Sequence, residues 1–187
     1  NVRSKKISEK VLNNTKKQII LIGIARGMWF LHQNNVIHRD LKPDNILIDD
    51  NYHPIISDFG LSKFYEIGHS KSQSQGESTY IYTAPEFDSL VYNYKVDIYS
   101  FAILMYEVVT NSFPYPILQK GKITIFNLMP LIIEKNVRPE LKNKKLKEPI
   151  QNLIKQCWDK DPDKRPDFEY IFKKLAFDKE NFYLDDV

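Results

Sequence analysis

Eight consecutive residues, His38-Arg39-Asp40-Leu41-Lys42-Pro43-Asp44-Asn45, crowd acids, cations, a proline and an amide into one short stretch. Side chains of these types accept protons, neutralise charge and ligate cations. Before the stretch, residues 19–31 carry apolar side chains at helical spacing; after it, Ile46-Leu47-Ile48 is short enough for a strand. A polar segment held between two buried elements is where binding and catalytic residues concentrate. Two further triplets follow, Asp58-Phe59-Gly60 and Ala84-Pro85-Glu86. Each is too common to mean much alone. Their order and separation from Asp40 carry more.

The elements that must position these residues read as mainly helical with one small hairpin. Residues 16–33 predict an amphipathic helix with Ile20, Ile24, Met28 and Leu31 on its apolar stripe, widened by Ile19, Gly27 and Phe30. Asn13, Asn14 or Thr15 can cap its start, and Asn34-Asn35 ends it. Residues 46–48 and 53–56 predict two strands joined by the polar turn Asp49-Asp50-Asn51. Residues 61–78 lack a sustained period, and a loop of that length inside a domain is functional or disordered. Residues 96–110 are apolar almost all round, which marks a central buried helix, broken by Phe113-Pro114-Tyr115-Pro116. Three more helices are expected: 123–135, interrupted near Pro130; 149–158, with Ile150, Leu153, Ile154 and Cys157 on one face; and 167–175, capped by Asp167.

Composition sets the frame. With 187 residues, 27% of them charged and 42% hydrophobic, the chain fits one soluble domain or part of a larger one. A net charge of +3 gives no argument for nucleic acid or membrane as a partner. The single cysteine, Cys157, precludes an internal disulfide and reads as a buried structural thiol beside Trp158. The polar N-terminal residues are no signal peptide, and the apolar run 98–109 is too short to span a bilayer. A cytoplasmic location, with nuclear as the other option, is expected.

Taken together, H-R-D-L-K-P-D-N, then D-F-G after a two-strand segment, then A-P-E beyond a long serine-bearing loop resemble the C-terminal, helical lobe of a eukaryotic protein kinase. Asp97-Ile98-Tyr99-Ser100-Phe101 resembles the start of that family's central helix. Residues 157–166, C-W-D-K-D-P-D-K-R-P, resemble the closing motif of its tyrosine-kinase-like branch. The resemblance runs from about residue 16 to 175. It implies residues 1–15 as a polar lead-in following an N-terminal β lobe, 16–176 as the helical lobe with an activation segment at 61–83, and 177–187 as a loosely ordered tail.

The resemblance also implies roles. Asp40 would align an incoming hydroxyl and accept its proton, and Lys42 would meet the transferred phosphate, as in serine/threonine kinases. Asn45 and Asp58 would hold Mg²⁺, and Lys42, Asp44, Asn45, Leu47 and Asp58 would line the ATP site, Leu47 beneath the adenine. Thr79 would bond the catalytic aspartate, although Ser78 replaces the usual glycine before it. Glu86 and Arg165 would form a buried ion pair, Asp97 would fix the catalytic loop from below, and His38 and Phe59 would be structural. Arg39 would bind a phosphate on the activation segment, with Ser70, Ser72, Ser74 and Ser78 (and Tyr80) as candidate sites for an upstream kinase. Ala102 stands where the family often has glycine and should cost nothing.

The sequence contains no G-x-G-x-x-G and only six glycines, so the glycine-rich loop and strand lysine of the ATP site are not in it. Two functions follow as expectations. One is a serine/threonine kinase lobe that phosphorylates protein substrates when completed by its N-terminal lobe, with the chain inactive alone. The other is a catalytically incompetent scaffold or substrate-docking module. The face that would meet the missing lobe should carry an apolar seam.

Overall fold

The longest uninterrupted run of apolar residues becomes the axis of the structure. In a computed structural model, residues 12–58, 80–87, 93–141 and 146–178 are described, with the paired backbone of 5–6 and 63–64. The elements in chain order are β1 (Lys5–Lys6), α1 (Asn14–Gln33), β2 (Val36–Ile37), β3 (Ile46–Ile48), β4 (Pro54–Ile56), β5 (Lys63–Phe64), α2 (Lys95–Thr110), α3 (Pro116–Gln119), α4 (Ile125–Ile133), α5 (Glu148–Cys157) and α6 (Phe168–Phe177). In α2 every residue except Lys95, Glu107 and Thr110 is buried, as an all-round apolar helix requires. Helices α1 and α5 pack on it, and α6 packs mainly on α1 while its Phe168 meets Phe101 of α2 edge-on.

α1 begins where Asn13 accepts a hydrogen bond from Lys16 N, so Asn13 is the cap. Its buried face is Lys17, Ile20, Leu21, Ile24, Ala25 and Met28. Ile19 and Phe30, expected to widen that stripe, are exposed, Phe30 at 66%. At about 100° per residue, Phe30 lies roughly 200° round the helix from Met28 and must face outward. Lys17 instead turns inward, and its Nζ donates to Val109 O at 3.3 Å, at the C-terminal end of α2, where a cation is favoured. Burial pulls the Lys17 pKa down.

The small sheets lie against the other flank of α1. β3 and β4 form the expected antiparallel hairpin, with Leu47 opposite Ile55, and β1 adds a third strand beside β3 that periodicity did not indicate. β2 pairs with β5. Ile46 and Ile48 face the core, whereas Leu47 is half-buried and Ile55 is 47% exposed on the opposite face. The hairpin sits so close to α1 that a Cβ on Gly23 would come within 2.5 Å of the Pro54 ring, and one on Gly27 within 2.8 Å of Ile56 Cδ1.

One expected helix end holds, with a different cause, and two shift. α2 ends at Thr110 as expected, but it is stopped by Asn111, a left-handed cap with φ of 50°, before the proline-rich segment is reached. α4 runs unbroken through Pro130; the residue whose carbonyl loses its donor is Phe126, 70% exposed on the solvent side. α6 extends to Phe177, past Leu175, with Asp167 as cap accepting from Tyr170 N at 2.7 Å. α5 keeps the expected face of Ile150, Leu153, Ile154 and Cys157, and burial pushes the Cys157 thiol far above its usual range, which fits a structural cysteine.

Candidate active site

The stretch 38–45 crosses from β2 to β3, and a carboxylate from α2 fixes its start. Asp97 is fully buried. Its Oδ2 accepts from His38 N at 2.9 Å and from His32 Nε2 at 2.9 Å, and its Oδ1 accepts from Arg39 N at 2.8 Å. Burial pushes its pKa up, but the His32 hydrogen bond, the electrostatic influence of the His32 and His38 imidazoles and the Arg39 N–H together outweigh that, and the carboxyl is held below the usual range. The backbone it clamps is strained: Arg39 has φ of 72°, a left-handed conformation that costs a non-glycine residue about 1–3 kcal/mol.

His38 turns that clamp toward the next strand. Its Nε2–H donates to Ser57 O at 3.1 Å and its Nδ1 accepts from Asp40 N at 3.3 Å, which selects the Nε2–H tautomer. Ser57 is held a second time, its N and Oγ both donating to Asn45 O at 2.9 and 3.0 Å. Asp58, the next residue, is exposed and takes a φ of 61°. The loop and the end of β4 are thereby locked side by side.

Asp40 sits at the centre. Its Oδ2 receives Lys42 Nζ at 2.8 Å and Asn45 Nδ2 at 2.9 Å; Asn45 Nδ2 also donates to Asp40 O at 2.7 Å. Its Oδ1 is buried and has no hydrogen-bond partner. Asn45 is buried too, and with its amide nitrogen spent on Asp40, its Oδ1 is left to face other groups. Asp44 is exposed on the single 3₁₀ turn Pro43–Asn45.

Beneath the site, Arg165 makes the expected pair with Glu86, bidentate at 2.6 and 2.9 Å. The guanidinium also donates to Asp159 O at 2.8 Å and Lys95 O at 3.0 Å, and Lys95 Nζ returns a hydrogen bond to the Arg165 carbonyl. Tyr82 donates to Glu107 at 2.6 Å while its carbonyl accepts from Ser100 Oγ at 2.8 Å, tying the segment before Glu86 to α2. Burial raises the pKa of both Tyr82 and Glu107.

Of the residues expected to act, the structure thus brings His38, Arg39, Asp40, Lys42, Asp44 and Asn45 onto one loop, with Asp97 under it and Asp58 beside it. Phe59, Ser70, Ser72, Ser74, Ser78 and Thr79 lie outside the described residues, as does most of the expected activation segment. His32 and Ser57 were not foreseen. Their only signal is position, one in the last turn of α1 and the other just before Asp58.

The Protein kinase domain family matches this sequence over residues 2–177. The chain belongs to the protein kinase family. It is 38% identical over 166 residues to a probable serine/threonine-protein kinase of Dictyostelium discoideum, covering 88% of this chain and 12% of that protein. It is 39% identical over 155 residues to the RGS domain-containing serine/threonine-protein kinase A of the same organism, covering 82% and 13%. It is 37% identical over 176 residues to serine/threonine-protein kinase VIK of Arabidopsis thaliana, covering 88% and 38%. The chain therefore spans between about an eighth and two fifths of the length of these relatives.

Kinases generally use ATP and Mg²⁺, and the donor set can be tested against that metal. Mg²⁺ takes one or two protein oxygens and completes its shell with phosphate and water. No group of three or more His, Cys, Asp or Glu able to hold a metal occurs among the described residues. The Ser57–Asn45 hydrogen bonds hold the backbones of Asn45 and the residue before Asp58 side by side, and an amide oxygen with a carboxylate is a sparse oxygen set of the kind Mg²⁺ takes. No helix among the described residues is long and apolar enough to cross a membrane.

Proposed function

We propose that this kinase chain is the catalytic helical lobe of a serine/threonine protein kinase that phosphorylates protein substrates, completed by a glycine-rich lobe. The observation that carries the reading is the Asp40 carboxylate. One oxygen is immobilised by Lys42 and Asn45; the other is buried and unpartnered. A buried acceptor without a donor costs about 1–3 kcal/mol, and a substrate hydroxyl supplies the missing donor. Asp40 then orients that hydroxyl and takes its proton as the oxygen attacks.

Lys42, already within 2.8 Å of Asp40, is placed to neutralise charge on the group being transferred. Asn45 and Asp58 would hold Mg²⁺, and Leu47 with Asp44 would border the nucleotide. Bound ATP and Mg²⁺ supply the phosphoryl group and the charge neutralisation that the family's reaction needs. Lys42 and the names of the relatives support serine and threonine as acceptors, and Arg39 supports control by a phosphate on the activation segment. Membership of the tyrosine-kinase-like group rests on residues 157–166.

The test is phosphoryl transfer by a protein that joins this chain to a glycine-rich lobe. Peptides differing only in a serine, threonine or tyrosine acceptor are incubated with Mg²⁺ and labelled ATP. Label on serine and threonine but not tyrosine is expected. Label on tyrosine alone overturns the acceptor assignment, and no label despite ATP binding favours a scaffold or docking module.

A further inference from the structure

Helix α1 is apolar on two faces, and only one of them is inside. At about 100° per residue, Ile19, Ile22, Trp29 and Phe30 all fall within about 60° of Arg26, on the side away from Ile24 and Met28. Phe30 is 66% and Ile19 37% exposed, Arg26 is exposed, and Ile22 and Trp29 are half-buried. Helix α6 continues this outward stripe with aromatic rings. Trp29 stacks on Phe172 with ring centres 5.6 Å apart, and Phe172 meets Phe177 edge-on at 5.9 Å. Phe177, the last residue of α6, ends the ladder at 71% exposed.

Large aromatic side chains joined in one exposed patch mark a surface that something covers. The chain itself supplies a candidate. Residues 179–187, Lys-Glu-Asn-Phe-Tyr-Leu-Asp-Asp-Val, lie outside the described residues and begin two positions after Phe177. Nine extended residues reach about 30 Å, against about 8–10 Å between the axes of packed helices, so the segment can cross from the end of α6 to α1. It carries an apolar triplet, Phe182-Tyr183-Leu184, and its one lysine against three acids leaves it net negative. The stripe has the opposite sign. Lys173 and Lys174 beside it are paired with Glu169 and Asp178 at 2.6 and 3.1 Å, so the positive charge of the stripe is that of Arg26. A tethered segment also acts at roughly millimolar effective concentration, which a separate molecule must match from solution.

We propose that residues 179–187 fold back across the outward face of α1 as an extended strap. Alternate residues of an extended run share one side, which groups Phe182, Leu184 and Asp186. Phe182 and Leu184 would seat against Trp29, Phe30 and Phe177, with Asp186 toward Arg26. A strap in that position braces the last turns of α1, where His32 holds Asp97 beneath the loop 38–45.

Trp29 reports on the contact, because the other tryptophan, Trp158, is buried. Acrylamide quenching of tryptophan fluorescence is measured on the full chain over a range of protein concentrations, with secondary structure checked by circular dichroism. The double variant Phe182→Ser/Leu184→Ser should show stronger quenching and red-shifted emission at every concentration. Arg26→Glu should show a smaller increase, reversed when Asp186→Arg is added, a rescue that a loss of folding would not give. Quenching unchanged in the double variant, or an Arg26→Glu effect that Asp186→Arg does not reverse, would overturn the proposal. So would a shielding that develops only as protein concentration rises, the mark of a second copy on this face.

Discussion

The two most deeply buried charges among the described residues, Asp97 and Arg165, are used in opposite ways. Asp97 is an anion that collects donors: two loop N–H groups and His32. Arg165 is a cation that collects acceptors: Glu86 and two carbonyls. Both satisfy the rule that a buried charge must be paired and hydrogen-bonded. The difference is what each holds. Arg165 ties residues 80–87 to the start of α2 and the turn Pro162–Lys164, a fastening between relaxed segments. Asp97 holds the strained backbone of Arg39, next to the residue proposed to take the proton. The first should matter for stability and the second for geometry.

The comparison breaks if the two fail to separate on mutation. Glu86→Ala leaves Arg165 buried and unpaired, and should cost about 3 kcal/mol, the low end for a broken buried pair because Glu86 is part-exposed. Denaturant unfolding should show it, with a kcat loss in the folded fraction smaller than that of Asp97→Asn. Asp97→Asn replaces an acceptor facing N–H groups by an amide donor. A loop displaced by about 1 Å should lower kcat by about 10²-fold, measured in a protein carrying both lobes.

The same variant gives a pH signature. Asp97 is held below the usual carboxylate range, so its contribution to stability is complete above the unfolded value of about 3.9 and disappears as pH falls through its lower folded value. Wild type should therefore lose stability on acidification below about pH 4 more steeply than Asp97→Asn. Parallel curves would show that the carboxylate is not held as described. The smallest effect belongs to the close contact of α1 with the hairpin. Gly23→Ala should cost about 1–3 kcal/mol by overpacking against Pro54, read as a lower melting temperature.

Much of this was legible because it is local. The α5 face, the hairpin with its polar turn, the Asp167 cap and the eight-residue loop each depend on residues within a few positions of one another. Asp97 and the Glu86–Arg165 pair were reached through the family resemblance, and their geometry agrees with it. What escaped depends on long-range packing or on backbone hand. His32 meets Asp97 across 65 residues, and nothing in the periodicity of α1 singles it out. The third strand β1 owes its place to β3 and not to its own two lysines. Asn111 stops α2 by adopting a left-handed conformation, a choice that asparagine permits but does not dictate. Ile19 and Phe30 counted as apolar but point away from the core, since hydrophobicity alone does not fix an angle around a helix.

The central claim is that the unpartnered oxygen of Asp40 receives the substrate proton. Asp40→Asn keeps the size and the possibility of bonding Lys42 and Asn45 through its amide oxygen, but it removes the base. In a protein carrying both lobes, kcat for peptide phosphorylation should fall by about 10²–10⁴-fold, with the fold intact by circular dichroism. Turnover within a few-fold of wild type would contradict the assignment.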